Sequence, residues 1–382
     1  MSHLGERPAG QSPDRPTENL FADNSPANKP DFMVWPAIPD APRTPAPGDS
    51  GGRRRRRRTR LLTVSLILVV VLGGTGVGGF LLYQRHLDQN IDRLGDPFES
   101  LPERSRPKPT PNGATNILML GSDSRISAAP GQWVQGAQHT DSIMIAHVPG
   151  DRSRVTVTSI PRDSWVNVPG HGKNKISAGY SFGGPSLIVQ TVENLTRVRI
   201  DHLVIVDFDG FKDITDELGG VRLTVPKGTA AERAGLPAGT RVMDGETALK
   251  FVRQRDNTPG ADVDRVERQQ NWIHAVALKT LDKGTLISPF TMNSVLDSLT
   301  RSIAADDSFT IGRMRSLTLS LRGVRGDDLI FLTAPVVGTA RRADGQSIVK
   351  LDAAANRALW KAVAADQLDA WLSAHPDATR KV

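Results

Sequence analysis

Three polar clusters stand where apolar runs end, and their residue types suit the handling of phosphate. Gly121-Ser122-Asp123-Ser124-Arg125 follows Ile117-Leu118-Met119-Leu120, and His139-Thr140-Asp141-Ser142 precedes Ile143-Met144-Ile145. The third, Ile160-Pro161-Arg162-Asp163-Ser164, closes a β-branched run that starts at Val155. Asp123 and Asp141, brought together at strand ends, could share a hard cation such as Mg²⁺, which takes carboxylates together with phosphate oxygens. An Asp or Ser beside a strand is also an ordinary turn or cap residue, and an Arg–Asp neighbour pair an ordinary ion pair. Further on, Arg253 and Arg255 point the same way if the backbone there is extended. Arg265, Arg268 and Gln269 fall at i, i+3 and i+4, on one face of a predicted helix whose Ile273, Val276, Ala277 and Leu281 turn inward. That face reads equally well as solvated surface. What unites the groups is that a diphosphate needs several planar guanidinium forks and a divalent cation.

Other chemistries lack their residues. The 382-residue chain has no cysteine, which excludes a disulfide framework, a thiolate metal site and a cysteine nucleophile. It has no Gly-x-x-x-x-Gly-Lys-Ser/Thr loop and no His-Glu-x-x-His, and His139, His147, His171 and His202 lack metal-ligand spacing. Of the +7 formal charge, residues 1–60 carry 11 basic against 7 acidic residues, leaving only +3 on the rest. No basic face is concentrated enough to indicate nucleic acid.

The elements that must position these groups begin well into the chain. Residues 1–60 hold ten of the 26 prolines within their first 50 positions and end in Arg53 to Arg58, Thr59 and Arg60; they read as a disordered tail. Residues 61–83 contain no charge, enough for a helix of about 35 Å that crosses a membrane, and the Arg run fixes the N-terminus on the cytoplasmic side. A cleaved signal peptide is the weaker reading, because the apolar run is long and no Ala-x-Ala site follows. Residues 84–112, with five prolines, read as a stalk outside the membrane, and residues 113–372 as one α/β domain followed by a short tail, 373–382. Strands are expected at 116–120, 142–148, 155–160, 202–208, 221–225, 329–333 and 347–351. Helices are expected from Pro185, from Phe211 to Gly219, along Val295, Leu296, Leu299 and Ile303, and from Ala353 to Asp366. Alternating strands and helices predict an α-β-α sandwich around a central mixed sheet.

Taken in order, Asn116 to Arg125, Thr140 to Met144, Ser159 to Ser164, Lys175-Ile-Ser, Gly183-Gly184, Ile205 to Gly210 and the block from Arg253 to Gln270 resemble the LytR-CpsA-Psr cell-wall ligases. The resemblance implies a membrane-anchored, extracytoplasmic phosphotransferase. Such an enzyme moves a glycopolymer from a polyprenyl-diphosphate carrier to the 6-hydroxyl of N-acetylmuramic acid in peptidoglycan, releasing polyprenyl phosphate. It implies that Asp123 and Asp141 hold Mg²⁺ (or Mn²⁺), and that Arg162, Arg253 and Arg255 act in catalysis. Arg125, Lys175, Arg265, Arg268 and Gln269 then clamp the diphosphate, and apolar residues of the sheet and a covering helix form a pocket for the isoprenoid tail. The implied partners are the lipid-linked glycopolymer, peptidoglycan and membrane lipid. One departure is His139, where the family commonly has Arg. Competing readings are a non-catalytic binding protein for the same ligands, a polyprenyl-diphosphate hydrolase and an intracellular regulator.

Overall fold

Strands that are apolar at every position need cover on both faces, and that requirement organises the fold. The structure, a computed structural model, describes residues 88–122, 140–254, 261–281 and 303–378, with Leu82, Arg85, Asp297, Thr300 and Arg301; at Phe208, Ala230, 261–266 and Leu281 it describes the backbone alone. Among these residues the strands are β1 (Asp92–Arg93), β2 (Thr115–Ser122), β3 (Thr140–Val148), β4 (Val155–Ser159), β5 (Trp165–Val168), β6 (Gly172–Lys175), β7 (His202–Val206), β8 (Val221–Val225), β9 (Gly239–Met243), β10 (Ile303–Ala305), β11 (Leu329–Thr333), β12 (Val336–Arg341) and β13 (Ser347–Leu351). The principal helices are α1 (Ala178–Thr196), α2 (Phe208–Glu217), α3 (Gly245–Arg253), α4 (Ala261–Leu281), α5 (Ile311–Ser320), α6 (Ala353–Ala364) and α7 (Leu368–Ala374).

Seven strands form one mixed sheet in the order β1-β10-β7-β2-β3-β4-β11. The pairs β1/β10, β7/β2 and β4/β11 are parallel and the other three antiparallel. Register sorts the side chains: Leu118, Leu120, Ile143, Ile145, Leu203 and Ile205 share one face and pack with Ile188 and Val192 of α1 and Leu359 and Trp360 of α6. The opposite face presents Ile117, Met144, Ala146 and Phe331, covered by Met314 and Leu317 of α5 and Ile273 of α4. Each fully buried Leu or Ile contributes about 1.5–3 kcal/mol relative to exposure. A third cluster, built from α2, α3, the β8–β9 ribbon and Trp272, extends that second layer. Asp207, Asp244, Thr310 and Asp352 accept backbone N–H bonds at the starts of α2, α3, α5 and α6. Pro185 lies inside α1, as expected for a restart: Gly183 and Gly184 break the helix, and Gly184, at φ +63°, supplies a conformation that other residues rarely adopt.

Several sequence expectations are corrected. Packing begins inside the expected stalk. Ile91 and Leu101 are buried, β1 joins the sheet, and Arg106 forms a buried pair with Glu193 at 2.7 Å while donating to the Ile200 carbonyl at 2.6 Å. At the other end, Ala374 belongs to α7 and Ala378 packs on the core, so order continues past 372. Ile303 lies in β10, where pairing with β7 overrides its helical spacing. Strands 221–225 and 347–351 exist, but in separate two-stranded ribbons. Among the described residues no helix is long and apolar enough to cross a membrane. The predicted span 61–83, apart from Leu82, and the tail 1–60 lie outside those residues.

Candidate functional site

The site forms at one end of β2 and β3. Their antiparallel register slips between Gly121 and Ser122, so that Gly121 faces Ser142 and Ser122 faces Thr140. Asp141 is therefore held at the mouth of the hairpin. Its carboxylate pairs with Arg162, which follows β4 in the turn Pro161 to Ser164. Asp163 continues the chain of charges, with Lys175 Nζ 2.8 Å from its Oδ1 and Arg162 Nε 3.9 Å from its Oδ2. Backbone bonds fix this turn: Ser177 N donates to Arg162 O, Ile176 N to Ser164 O and Val349 N to Asp163 O. The four side chains are 13–26% exposed, enough shelter to hold a geometry and enough opening to meet a ligand.

Behind Asp141, on the α5 face of the sheet, lies a cavity of about 450 Å³ between the strands and helices α2, α3 and α4. Met119 and Met144 form its floor. Phe211 and Trp272, stacked with centroids 3.9 Å apart, and Ile273 and Val276 are among its walls. Trp272 Nε1 donates to Thr215 Oγ1 at 2.9 Å, which fixes the ring. Among the described residues, polar side chains meet the cavity at Ser122, Asp141, Ser142, Asp207, Arg253 and Gln269. Gln269, Trp272, Ile273 and Val276 are spaced i, i+3, i+4 and i+7, one stripe of α4, so a single helix carries both the polar entry and the apolar wall. That helix is pinned by Gln270, whose Nε2 donates to Ser159 Oγ and to the Leu332 carbonyl, both at 2.8 Å.

The structure thus brings together Asp141, Arg162, Lys175, Arg253 and Gln269. Arg253 is not extended, as expected from the sequence, but ends α3, because Asp244 caps a helix that runs through it. Arg268 is buried and gives Nη2 to the Gln254 carbonyl at 2.5 Å, tying α4 to the residue after α3. Asp123, Arg125, His139 and Arg255 lie outside the described residues, as does the side chain of Arg265. Two acidic residues were not singled out as site members from sequence. Asp163 links Arg162 to Lys175, and its signal was adjacency to Arg162. Asp207 both caps α2 and lines the cavity. Its charge, after burial, holds the Asp92 carboxyl above the usual range.

Two members of the set could serve a hard cation: Asp141 offers carboxylate oxygens, and Gln269 Oε1 is buried without a hydrogen-bond partner at the cavity that Asp141 lines. Among the described residues no group of three His, Cys, Asp or Glu converges as a metal cage. Asp141 would therefore need Asp123 and ligand oxygens to complete the shell.

Comparison with known proteins bears on the family and the fold. The LytR_cpsA_psr family profile matches residues 89–365. The chain is 30% identical over 282 residues to the cell wall biosynthesis protein LcpA of Corynebacterium glutamicum, covering 63% of this chain and 54% of that protein. It is 29% identical over 238 residues to the polyisoprenyl-teichoic acid–peptidoglycan teichoic acid transferase TagU of Enterococcus faecalis, covering 62% and 74%. The chain spans about half the length of the Corynebacterium relative. In three dimensions it is similar to the crystal structure of B. subtilis TagV, with a TM-score of 0.56 at 25% identity over 67% of this chain and 97% of that one.

Proposed function

The chain belongs to the LytR-CpsA-Psr family, and from that premise we propose that it is a phosphotransferase attaching a glycopolymer from a polyprenyl-diphosphate carrier to peptidoglycan. The observation that carries this reading is the 450 Å³ cavity, apolar along its depth, charged where it meets Asp141 and Arg253 and polar at Gln269. An isoprenoid tail needs the first property and its diphosphate the second. Residues 61–83 would anchor the chain in the membrane with its N-terminus cytoplasmic and the folded domain outside, within reach of both lipid carrier and wall.

In this reading Arg162, Arg253 and Lys175 bind non-bridging phosphate oxygens, and Gln269 orients the head group at the mouth of the cavity. Arg255, Arg265 and Arg125 would join them. Asp141 with Asp123 would hold Mg²⁺ or Mn²⁺, which supplies positive charge beside the diphosphate. The acceptor hydroxyl oxygen bonds to the sugar-bearing phosphorus as the bridging P–O bond breaks, its proton passes to solvent, and polyprenyl phosphate leaves with the bridging oxygen. Charge grows on that leaving oxygen, where the guanidinium groups would stabilise it.

The test uses the full chain in detergent with a synthetic polyprenyl-diphosphate oligosaccharide, a peptidoglycan oligomer and Mg²⁺. Both released polyprenyl phosphate and glycan-attached sugar are followed, with Asp141→Ala and Val276→Phe alongside. Attachment that needs Asp141 and is lost when Phe fills the cavity is the expected result. Release without attachment would make the protein a hydrolase, and lipid binding without release would make it a binding protein.

A further inference from the structure

At the opposite end of the same strands, on the other face of the sheet, a second cavity of about 250 Å³ lies between β3, β4 and the start of α7. β3 places it about 20 Å from Asp141, six residues at about 3.3 Å each. Register sets Asn116, His147 and Thr156 side by side across β2, β3 and β4, all of them buried. Asn116 Nδ2 donates to Thr110 Oγ1 at 2.8 Å and to Arg199 O at 3.0 Å, so its Oδ1 is the atom that faces His147 Nδ1, 2.8 Å away. Nδ1 must then carry the proton, and in the neutral ring Nε2 is an acceptor.

That acceptor lies 3.3 Å from another, Asp366 Oδ1, and neither atom has a hydrogen-bond partner. The other carboxylate oxygen is satisfied by Asn112 Nδ2 at 3.0 Å and Gly150 N at 3.3 Å. Thr156 Oγ1, in a residue only 1% exposed, lines the cavity and also has no partner. Burial holds His147 below the ordinary imidazole value against the opposing pull of Asp366, which favours the neutral ring. Asp151, Asp366 and Asp369 stand around the cavity against the guanidinium of Arg154, itself 3.1 Å from Asp369, and Arg152 adds a second positive charge acting on His147. The wall therefore carries more acidic than basic side chains, and among the described residues nothing donates to His147 Nε2, Asp366 Oδ1 or Thr156 Oγ1, while the Arg154 Nε donor lies by Asp369.

We propose that this cavity binds a small primary amine as its ammonium, whose N–H groups bridge His147 Nε2, Asp366 Oδ1 and Thr156 Oγ1. An ammonium offers three donors and the compensating charge on one atom, which neither a neutral ligand nor an anion provides. The site does not depend on the phosphotransferase reading, and its failure would leave that reading untouched.

The experiment uses the full chain in detergent with ¹⁵N-labelled histidine, at a pH above the ordinary imidazole value, with His147 assigned by its loss in His147→Gln. Methylammonium chloride is titrated in, and tetramethylammonium chloride serves as a cation with no N–H. The expected result is a neutral His147 whose Nε2 resonance moves saturably with methylammonium and stays still with tetramethylammonium. Asp366→Asn should weaken binding about tenfold or more. Thr156→Val, which keeps the shape of the strand residue, should weaken it about threefold and serves if Asp366→Asn does not fold. An imidazolium signal before any amine is added would overturn the proposal, because the proton between Nε2 and Oδ1 would then be internal. So would equal responses to the two cations, or none to methylammonium at molar concentration.

Discussion

Strand β3 ends in two polar constellations that differ in what their charges face. At the Asp141 end, the carboxylates of Asp141 and Asp163 are interleaved with Arg162 and Lys175, all partly exposed, beside a largely apolar cavity of about 450 Å³. At the His147 end, Asn116, His147, Thr156 and Asp366 are buried almost completely and contribute no permanent cation. The first arrangement keeps full charges solvated enough to exchange protein partners for a ligand at little cost, because partly exposed pairs are weak. The second keeps its geometry through buried hydrogen bonds in low dielectric, where removing a single partner is expensive. Substitutions at the Asp141 end should therefore disturb turnover more than folding, and those at the buried end the reverse.

Asp141→Ala is the strongest test of that contrast. Turnover of the lipid-linked substrate should fall about a hundredfold to a thousandfold, while thermal unfolding reports a loss of about 1 kcal/mol or less; a large stability loss would break the comparison. Arg162→Lys keeps the charge but not the planar fork, so kcat/KM should drop about tenfold to a hundredfold with the fold intact. A smaller effect on activity is expected from Gln270→Leu, which leaves Ser159 Oγ and the Leu332 carbonyl without their donor. Denaturant unfolding should register about 1–3 kcal/mol of destabilisation. Turnover should decline less than in Arg162→Lys, because α4 is loosened while no ligand contact is deleted.

The central strands were legible because their apolar runs are long and covered on both sides, as at Ile117–Leu120 and Ile143–Val148. Two short strands were not: β1 has two residues and β10 three, too few for any period, and their pairing is decided by the neighbouring strands. Asp141, Arg162, Lys175, Arg253 and Gln269 could be picked out by type and spacing, yet the helical state of Arg253 depended on the cap at Asp244, nine residues earlier. The cavity could be expected only in outline, since its wall joins residues from β2, β3, α2, α3 and α4. Nothing local marked the buried end. Asn116, His147 and Thr156 become neighbours only through register, and Asp366 reaches them from beyond α6.

The smallest expected effect separates the two ends by pH. His147 is held below the ordinary imidazole value of 6.5 by burial, so between that value and its lower folded one the unfolded chain binds more protons than the folded chain. Its contribution to stability is then fully present above 6.5 and is lost as pH falls through the folded value. His274, also lowered by burial, against an opposing backbone hydrogen bond at Gly326, adds a term of the same sign. His147→Gln removes one of the two terms and keeps an amide donor for Asn116. Midpoints of thermal unfolding measured from about pH 8 down to about pH 5 should fall less steeply in the variant than in the parent. His274→Gln serves as the control, since it sits against Phe331 on the other face of the sheet. If only His274→Gln flattens the curve, the acid-sensitive element lies in the α4–α5 layer. The His147 end would then differ from the Asp141 end in burial alone, with no difference in how the two respond to protons.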